Sequence, residues 1–291
     1  MRGKLPRPAG RAPATLPRAR RRFSQHFLEP AWVSKLIDAI GPDPDDVFLE
    51  IGPGTGRLTL PLAARAARVI GVEIDRDLVA RLAPRLPSNA ALVGGDALDV
   101  SLAHVLRAAL ADLDRERGSH GRIRIVGNLP YKVASPLLFR LLALQSEVPC
   151  ADATLMLQRE VADRLAAGPG TSEYGALSVF VQLHSSVTKL LTLPPGAFRP
   201  VPAVTSAVVR LTFHPPLVGR RDPAGFDRLV RSLFMQRRKM LANALKGFAR
   251  GTALSAQEAL ARAGIDHRRR PETLEVTELA GLADVFASAD G

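Results

Sequence analysis

The chain has 291 residues, with 40 Lys+Arg against 28 Asp+Glu, giving a formal net charge of +12 and a sequence pI near 11.0. The single Cys150 excludes an internal disulfide framework and a multi-cysteine zinc site. At 46% hydrophobic residues the chain is not of disordered type, and no run of about 18 apolar residues marks a membrane span.

The charge is unevenly spread. Residues 1–22 hold Arg2, Lys4, Arg7, Arg11, Arg18, Arg20, Arg21 and Arg22, with no acid. Pro6, Pro8, Pro13 and Pro17 oppose a helix there. An extended basic arm carrying +8 is expected, which leaves +4 for residues 23–291. No apolar core of a secretory signal follows the arginines. A mitochondrial transit peptide is the alternative reading of the arm, opposed by its prolines and its lack of serine. A cytoplasmic protein with a polyanionic partner, and no membrane contact, is therefore expected.

Helical spacing runs from Pro30 to Ile40, and Gly41-Pro42-Asp43-Pro44 stops it. Val47–Ile51 reads as a buried strand, followed by Gly52-Pro53-Gly54-Thr55-Gly56 and a helical pattern over Leu58–Ala67. Arg68–Glu73 is a second strand, Leu78–Leu86 a helix, and Ala90–Val93 a third strand before Gly94-Gly95-Asp96. A helix over Leu102–Leu113 precedes a strand over Arg122–Gly127, and Ala153–Leu157 leads into a helix over Arg159–Ala166. Ser178–Val187 and Ala207–Phe213 are expected to close the sheet as a strand pair, and residues 223–291 show only helical periodicity. Alternating strands and helices imply a parallel sheet covered on both faces. The expected units are the arm (1–22), an α/β domain (23–214) and a small all-α domain (215–291).

A strand, a glycine loop and a helix make a nucleotide-type site. Glu73 lies 21 residues past Gly52, at the end of the next strand, where a carboxylate accepts from ribose hydroxyls. The third glycine falls one residue too early for the dinucleotide fingerprint G-x-G-x-x-G. That argues against a pyrophosphate and for S-adenosylmethionine, which has a ribose but no phosphate. Asp96, at the end of the third strand, is placed to accept from the adenine amino group.

Asn128-Leu129-Pro130-Tyr131 follows the fourth strand, again at a carboxyl end. Its chemistry suits an exocyclic adenine amine attacking a methyl sulfonium. The lone pair of that amine is delocalised into the ring. The Asn128 side-chain carbonyl and a main-chain carbonyl of the tetrad can accept its N–H groups, localising the lone pair and stabilising the developing charge. Pro130 stiffens the backbone so that a carbonyl points inward. Tyr131 is placed to stack on the base. Phe198, in the proline-braced run 194–202, is expected as a second aromatic on the base, since the chain has only 11 Phe, 2 Tyr and 1 Trp.

These residues resemble the small-subunit rRNA adenine N6-dimethyltransferase family (KsgA-type). The resemblance rests on Phe23-Ser24-Gln25-His26-Phe27-Leu28, Glu50–Gly56, Gly71–Asp75, Gly95-Asp96-Ala97, Gly127–Tyr131, Met156–Val161, Phe198–Ser206 and Gln236-Arg237-Arg238-Lys239. It implies a Rossmann-like class I methyltransferase domain with a small C-terminal all-α domain. It also implies two methyl transfers from S-adenosylmethionine to each of two adjacent adenines, in a 3′-terminal hairpin of small-subunit rRNA within immature 30S particles. By resemblance, His26 and Leu28 close over the cofactor, Gly52 and Gly54 form its loop, Glu73 holds its ribose, Asp96 its adenine, and Asn128 lies between cofactor and target. Ser24 and Thr205 stand where the family often has Gly and Asp.

Arg231, Arg237, Arg238, Lys239 and Lys246 lie among Phe234, Leu241 and Leu245, which reads as one RNA-facing helix. Arg237, Arg238 and Lys239 are its expected RNA contacts. The six histidines show no metal-ligand spacing, so no metal is expected. A monomer is expected. Two alternatives remain at this point: a dimethyltransferase of large-subunit rRNA, which would share the whole catalytic set, and a non-catalytic RNA-binding assembly factor.

Overall fold

The computed structural model describes residues 26–118 and 121–290, so the basic arm read from residues 1–22 lies outside the described residues. In chain order the first elements are β1 (Phe27–Leu28), α1 (Pro30–Ile40), β2 (Val47–Ile51), α2 (Thr59–Ala63), β3 (Arg68–Glu73), α3 (Arg76–Leu82) and β4 (Ala90–Gly94). Next come α4 (Leu102–Arg117), β5 (Ile123–Asn128), α5 (Ala134–Leu144), β6 (Asp152–Gln158), α6 (Arg159–Ala166), α7 (Ala176–His184) and β7 (Ser185–Leu193). The last are β8 (Phe198–Arg199), β9 (Ser206–Phe213), α8 (Pro223–Met235), α9 (Leu241–Ala244), α10 (Lys246–Ala249), α11 (Ala256–Arg262) and α12 (Val276–Asp290).

Seven strands form one sheet in the order β4-β3-β2-β5-β6-β9-β7. β4 through β6 pair in parallel, and β9 runs antiparallel between β6 and β7. Every residue of β2 is buried, as a central parallel strand with both faces covered requires. The strand order reverses between β2 and β5, so the crevice for a ligand opens beyond the carboxyl ends of those two strands.

The amino edge of the sheet is held by a buried ion cluster. The Arg124 guanidinium is 2% exposed and pairs with Asp46 and Asp152, each at 3.0 Å. It also donates to the carbonyls of Ile40 and Gly41 and lies over the Phe48 ring. All of its donors are therefore used at a place where an unpaired charge would be costly.

Three sequence expectations change. Ser178–Val187 is not a strand: α7 runs to His184, and β7, the true partner of β9, starts at Ser185. Ser178, Val179, Phe180, Val181 and Leu183 are all buried, so α7 has almost no polar face to show a helical period. Val181 faces the sheet core, whereas Val179, Phe180 and Leu183 join the core of α8 to α12. The helix after the glycine loop is also shorter than read. The main-chain N–H groups of Ala67 and Arg68 turn to the Asp46 carbonyl instead of continuing it. Finally, Arg231 and Lys246 do not share one helix. α8 ends at Met235, and the N–H groups of Leu241 and Ala242 bond to the carbonyls of Arg269 and His267.

Candidate active site

β2 delivers the chain into the glycine loop, whose Gly52, Gly54 and Gly56 all have positive φ. The need is clearest at Gly54, with φ +59°, where a Cβ would also stand 3.2 Å from the Phe27 ring. The Gly54 N–H donates to Glu73 Oε2 at 2.9 Å, and the Asp75 N–H donates to Glu73 Oε1 at 2.9 Å. Glu73 is 4% exposed. Burial pushes its carboxyl up from the ordinary range, against the pull of those N–H groups. Glu73 thus ties the end of β3 to the glycine loop and keeps lone pairs for a ligand hydroxyl.

Beyond these strand ends lies a cavity of about 310 Å³, lined by His26, Gly52, Glu73, Asp96, Asn128, Pro130 and Tyr131 among others. Small-molecule pockets start at roughly 300 Å³. Asp96 Oδ1 accepts from the Leu98 N–H at 2.9 Å, which fixes the carboxylate at the wall. The apolar walls include Phe27, Ile74, Leu78 and Leu137. The set fits S-adenosylmethionine: a glycine of the loop for close approach, a buried carboxylate for ribose, a second carboxylate, and apolar walls for a flat base.

Asn128 ends β5. Its Nδ2 donates to the His26 carbonyl at 2.7 Å. A carbonyl only accepts, so the amide nitrogen must face it, and Oδ1 is left available to accept. The Leu129 N–H bonds to the Met156 carbonyl, which pins the tetrad to β6. The Tyr131 ring stacks with His26 at 5.9 Å between centroids and 23° between planes. The Tyr131 hydroxyl meets Ser206 Oγ at 2.7 Å. His26 Nδ1 donates to the Pro200 carbonyl at 2.8 Å.

Not every expected residue reaches the cavity. Leu28 and Phe198 pair directly across β1 and β8 and are 6% and 1% exposed. Both belong to an apolar cluster with Leu36 and Met156, so the Phe198 ring is packed as core and does not face the base site. Phe27, the neighbour with opposite orientation, lines the cavity instead. Gly54 sits behind the wall, under Phe27. Leu28, Gly52 and Asn128 also border a separate 40 Å³ cavity with Glu50 and Arg57. Glu50 is 2% exposed, and its Oε2 has no hydrogen-bond partner among the described residues. Burial first, and the nearby Glu73 charge second among the raising influences, push its carboxyl up to about 7.

Sequence reading gave no site role to Phe27, Ile74, Lys132 or Ser206. Ile74 was signalled by its place between two strand-end acids. Ser206 closed the Phe198–Ser206 run, but its contact with Tyr131, 75 residues away, carried no local signal.

The three basic residues of the 236–239 turn differ in their surroundings. Arg237 Nη1 donates to the carbonyls of Ser172 and Tyr174, and its Nε lies 4.0 Å from Glu272. The side chains of Arg238 and Lys239 are exposed and have no hydrogen-bond or ion-pair partner among the described residues. Arg231 packs over the Phe139 and Phe180 rings at 5.4 and 5.1 Å. Among the described residues no His/Cys/Asp/Glu cluster could hold a metal, and no helix is long and apolar enough to cross a membrane.

The chain is similar to known proteins along most of its length. The sequence model of the family described as ribosomal RNA adenine dimethylase matches residues 17–287. A Burkholderia protein named ribosomal RNA small subunit methyltransferase A is 44% identical over 270 residues, covering 91% of each chain. One of the same name from Nitrosococcus oceani is 43% identical over 274 residues, covering 94% of this chain and 97% of its own. The crystal structure of a dimethyladenosine transferase from Plasmodium falciparum superposes with a TM-score of 0.72 at 26% identity, covering 88% of this chain and 96% of its own. The 23S rRNA methyltransferase ErmE shares the fold, with a TM-score of 0.62 at 23% identity over 90% of this chain and 99% of its own. The chain belongs to the ribosomal RNA adenine dimethylase family, S-adenosylmethionine-dependent enzymes built on the class I methyltransferase fold.

Proposed function

We propose that this enzyme converts two adjacent adenines in a 3′-terminal hairpin of small-subunit rRNA to N6,N6-dimethyladenine, acting as a monomer in the cytoplasm on immature 30S particles. The names of the relatives at 44% and 43% identity support the small-subunit substrate. The observation that carries the chemistry is the Asn128 amide, which lines the cavity and is anchored through Nδ2, leaving Oδ1 to accept.

S-adenosylmethionine, when bound, supplies an electrophilic methyl group. Glu73 and Asp96 would hold its ribose and adenine, with Gly52 at the loop. Asn128 Oδ1 accepts an N–H of the target amine and so directs its lone pair. Pro130 fixes the tetrad backbone, and Tyr131 offers a face for the base. Arg238 and Lys239, free of protein partners among the described residues, take RNA phosphates at a distance from the chemistry. Arg237 braces that turn and presents what remains of its guanidinium. We assign catalysis to residues 23–214 and RNA contact to residues 215–291.

The test is transfer of labelled methyl groups to immature 30S and 50S particles, followed by reverse-transcription mapping. Two adjacent modified adenines near the 3′ end of the small-subunit rRNA are expected. Incorporation into large-subunit rRNA alone would overturn the substrate assignment, and no incorporation into any rRNA would leave a binding factor.

A further inference from the structure

We propose that Ser206 is a positioning residue for the reaction, holding Tyr131 as a platform of fixed tilt for the target adenine. This rests on the reading that Tyr131 stacks on the base.

Asn128 leaves the sheet at the end of β5. Ser206 begins β9, two strands away, opposite Gln158 of β6 and Leu193 of β7. Ser206 is 1% exposed and held by ladders on both sides, so its hydroxyl is a rigid point. Tyr131 starts three residues after Asn128, and its hydroxyl meets Ser206 Oγ at 2.7 Å. Adjacent strands are about 4.8 Å apart, so the tyrosine reaches across the carboxyl end of β6. Its two ends are tied to the same sheet that carries Asn128. The Tyr131 ring lines the cavity, and His26 covers part of it.

Without the Ser206 hydroxyl, the ring would keep its backbone anchor but lose the constraint on its far end. A flat base resting on it would then sample poor alignments with the Asn128 acceptor. Such a loss appears in the chemical step, because approach geometry sets the rate. Ser206 does not border the cavity, so donor affinity should not move.

The experiment compares Ser206→Ala, Tyr131→Phe, the double variant, Ser206→Thr and Tyr131→Ala. Single-turnover methylation of immature 30S particles is measured at saturating donor, with donor Kd measured separately. Ser206→Ala and Tyr131→Phe should each slow methyl transfer about five- to tenfold. The double variant should be no slower than Tyr131→Phe, Ser206→Thr should restore the rate, and donor Kd should stay unchanged in Ser206→Ala. The chain has only two tyrosines, and Tyr174 is buried with its hydroxyl on the Leu274 carbonyl. Tyrosine-selective labelling therefore reports Tyr131 by NMR, with Tyr174 as an internal reference for folding. The Tyr131 signal should shift in Ser206→Ala while the Tyr174 signal stays. Additive losses in the double variant, or wild-type rates in both Ser206→Ala and Tyr131→Phe, overturn the proposal. Should Ser206→Ala fail to fold, Tyr131→Phe alone decides, because it removes the same bond from the other side. Wild-type activity in Tyr131→Ala overturns the stacking reading itself. Loss in Tyr131→Ala with no loss in Ser206→Ala or Tyr131→Phe overturns only the role of Ser206.

Discussion

The side chain of Asn128 is bonded through Nδ2 to the main-chain carbonyl of His26, 102 residues earlier, at 2.7 Å. One bond decides which end of the amide is left free to accept. Asn128→Asp removes the donor and sets a carboxylate oxygen against a carbonyl oxygen. The variant should turn its acceptors out of line even though an oxygen remains. Methyl transfer in Asn128→Asp and Asn128→Ala should both fall by about 10²–10³-fold, the usual cost of losing one oriented polar group. Single-turnover rates with saturating donor check this, and near-normal turnover in Asn128→Asp would show that the His26 bond is not what aligns the amide.

Glu73 is the tie between the glycine loop and the end of β3. In Glu73→Gln, one amide N–H would oppose either the Gly54 or the Asp75 N–H. The loop should loosen together with the cavity wall that Glu73 forms. Donor affinity, read by calorimetry, should fall at least about tenfold, as for a charged hydrogen bond.

Glu50 makes stability depend on pH. Its folded carboxyl titrates at about 7, above the ordinary 4.5, so the native state holds this proton where the unfolded chain has released it. Stability therefore declines as pH rises from about 4.5 to 7, by about 3 kcal/mol for this group alone. Glu50→Gln removes that dependence. Urea midpoints should show the variant gaining on the wild type between pH 5 and pH 8. A constant difference over that range would contradict the assignment.

Arg124 serves architecture at the opposite edge of the sheet. Removing it in Arg124→Ala leaves Asp46 and Asp152 buried, although Arg122 still reaches Asp46 at 3.0 Å. A loss of about 3–5 kcal/mol in unfolding free energy is expected. Methyl transfer should persist wherever the variant remains folded, because the cluster lies at the far ends of the strands from Asn128.

The central strands were legible because buried parallel strands read as apolar runs, as Val47–Ile51 does apart from Glu50. Strand-end chemistry was legible for the same reason: Glu73, Asp96 and Asn128 each interrupt such a run where it stops. α7 was not legible, since a helix buried between two cores has neither alternation nor a polar stripe. Phe198 shows a different limit. Its proline-rich surroundings suggested an exposed ring, but pairing with Leu28 turns the ring into the core. The bond from Tyr131 to Ser206 arises from the insertion of β9 between β6 and β7, which local pattern does not encode.

The basic turn at 236–239 sets one arginine braced by the fold beside two exposed cations. Arg237 is occupied by two carbonyls of the 172–174 segment, whereas Arg238 and Lys239 are exposed. Removing one phosphate-binding cation reduces the salt dependence of binding by about 0.7–0.9 in the slope of log K against log[salt]. Arg238→Ala with Lys239→Ala should therefore lower the slope by about 1.4–1.8 while leaving thermal stability unchanged. Arg237→Ala should act the other way round. It strips a donor from the Ser172 and Tyr174 carbonyls, so it should lower Tm and leave most of the slope intact. Filter binding of small-subunit rRNA across a KCl series, beside melting curves, separates the two. If all three substitutions change the slope equally and none changes Tm, Arg237 is a phosphate ligand like its neighbours and its bonds to the 172–174 segment are incidental.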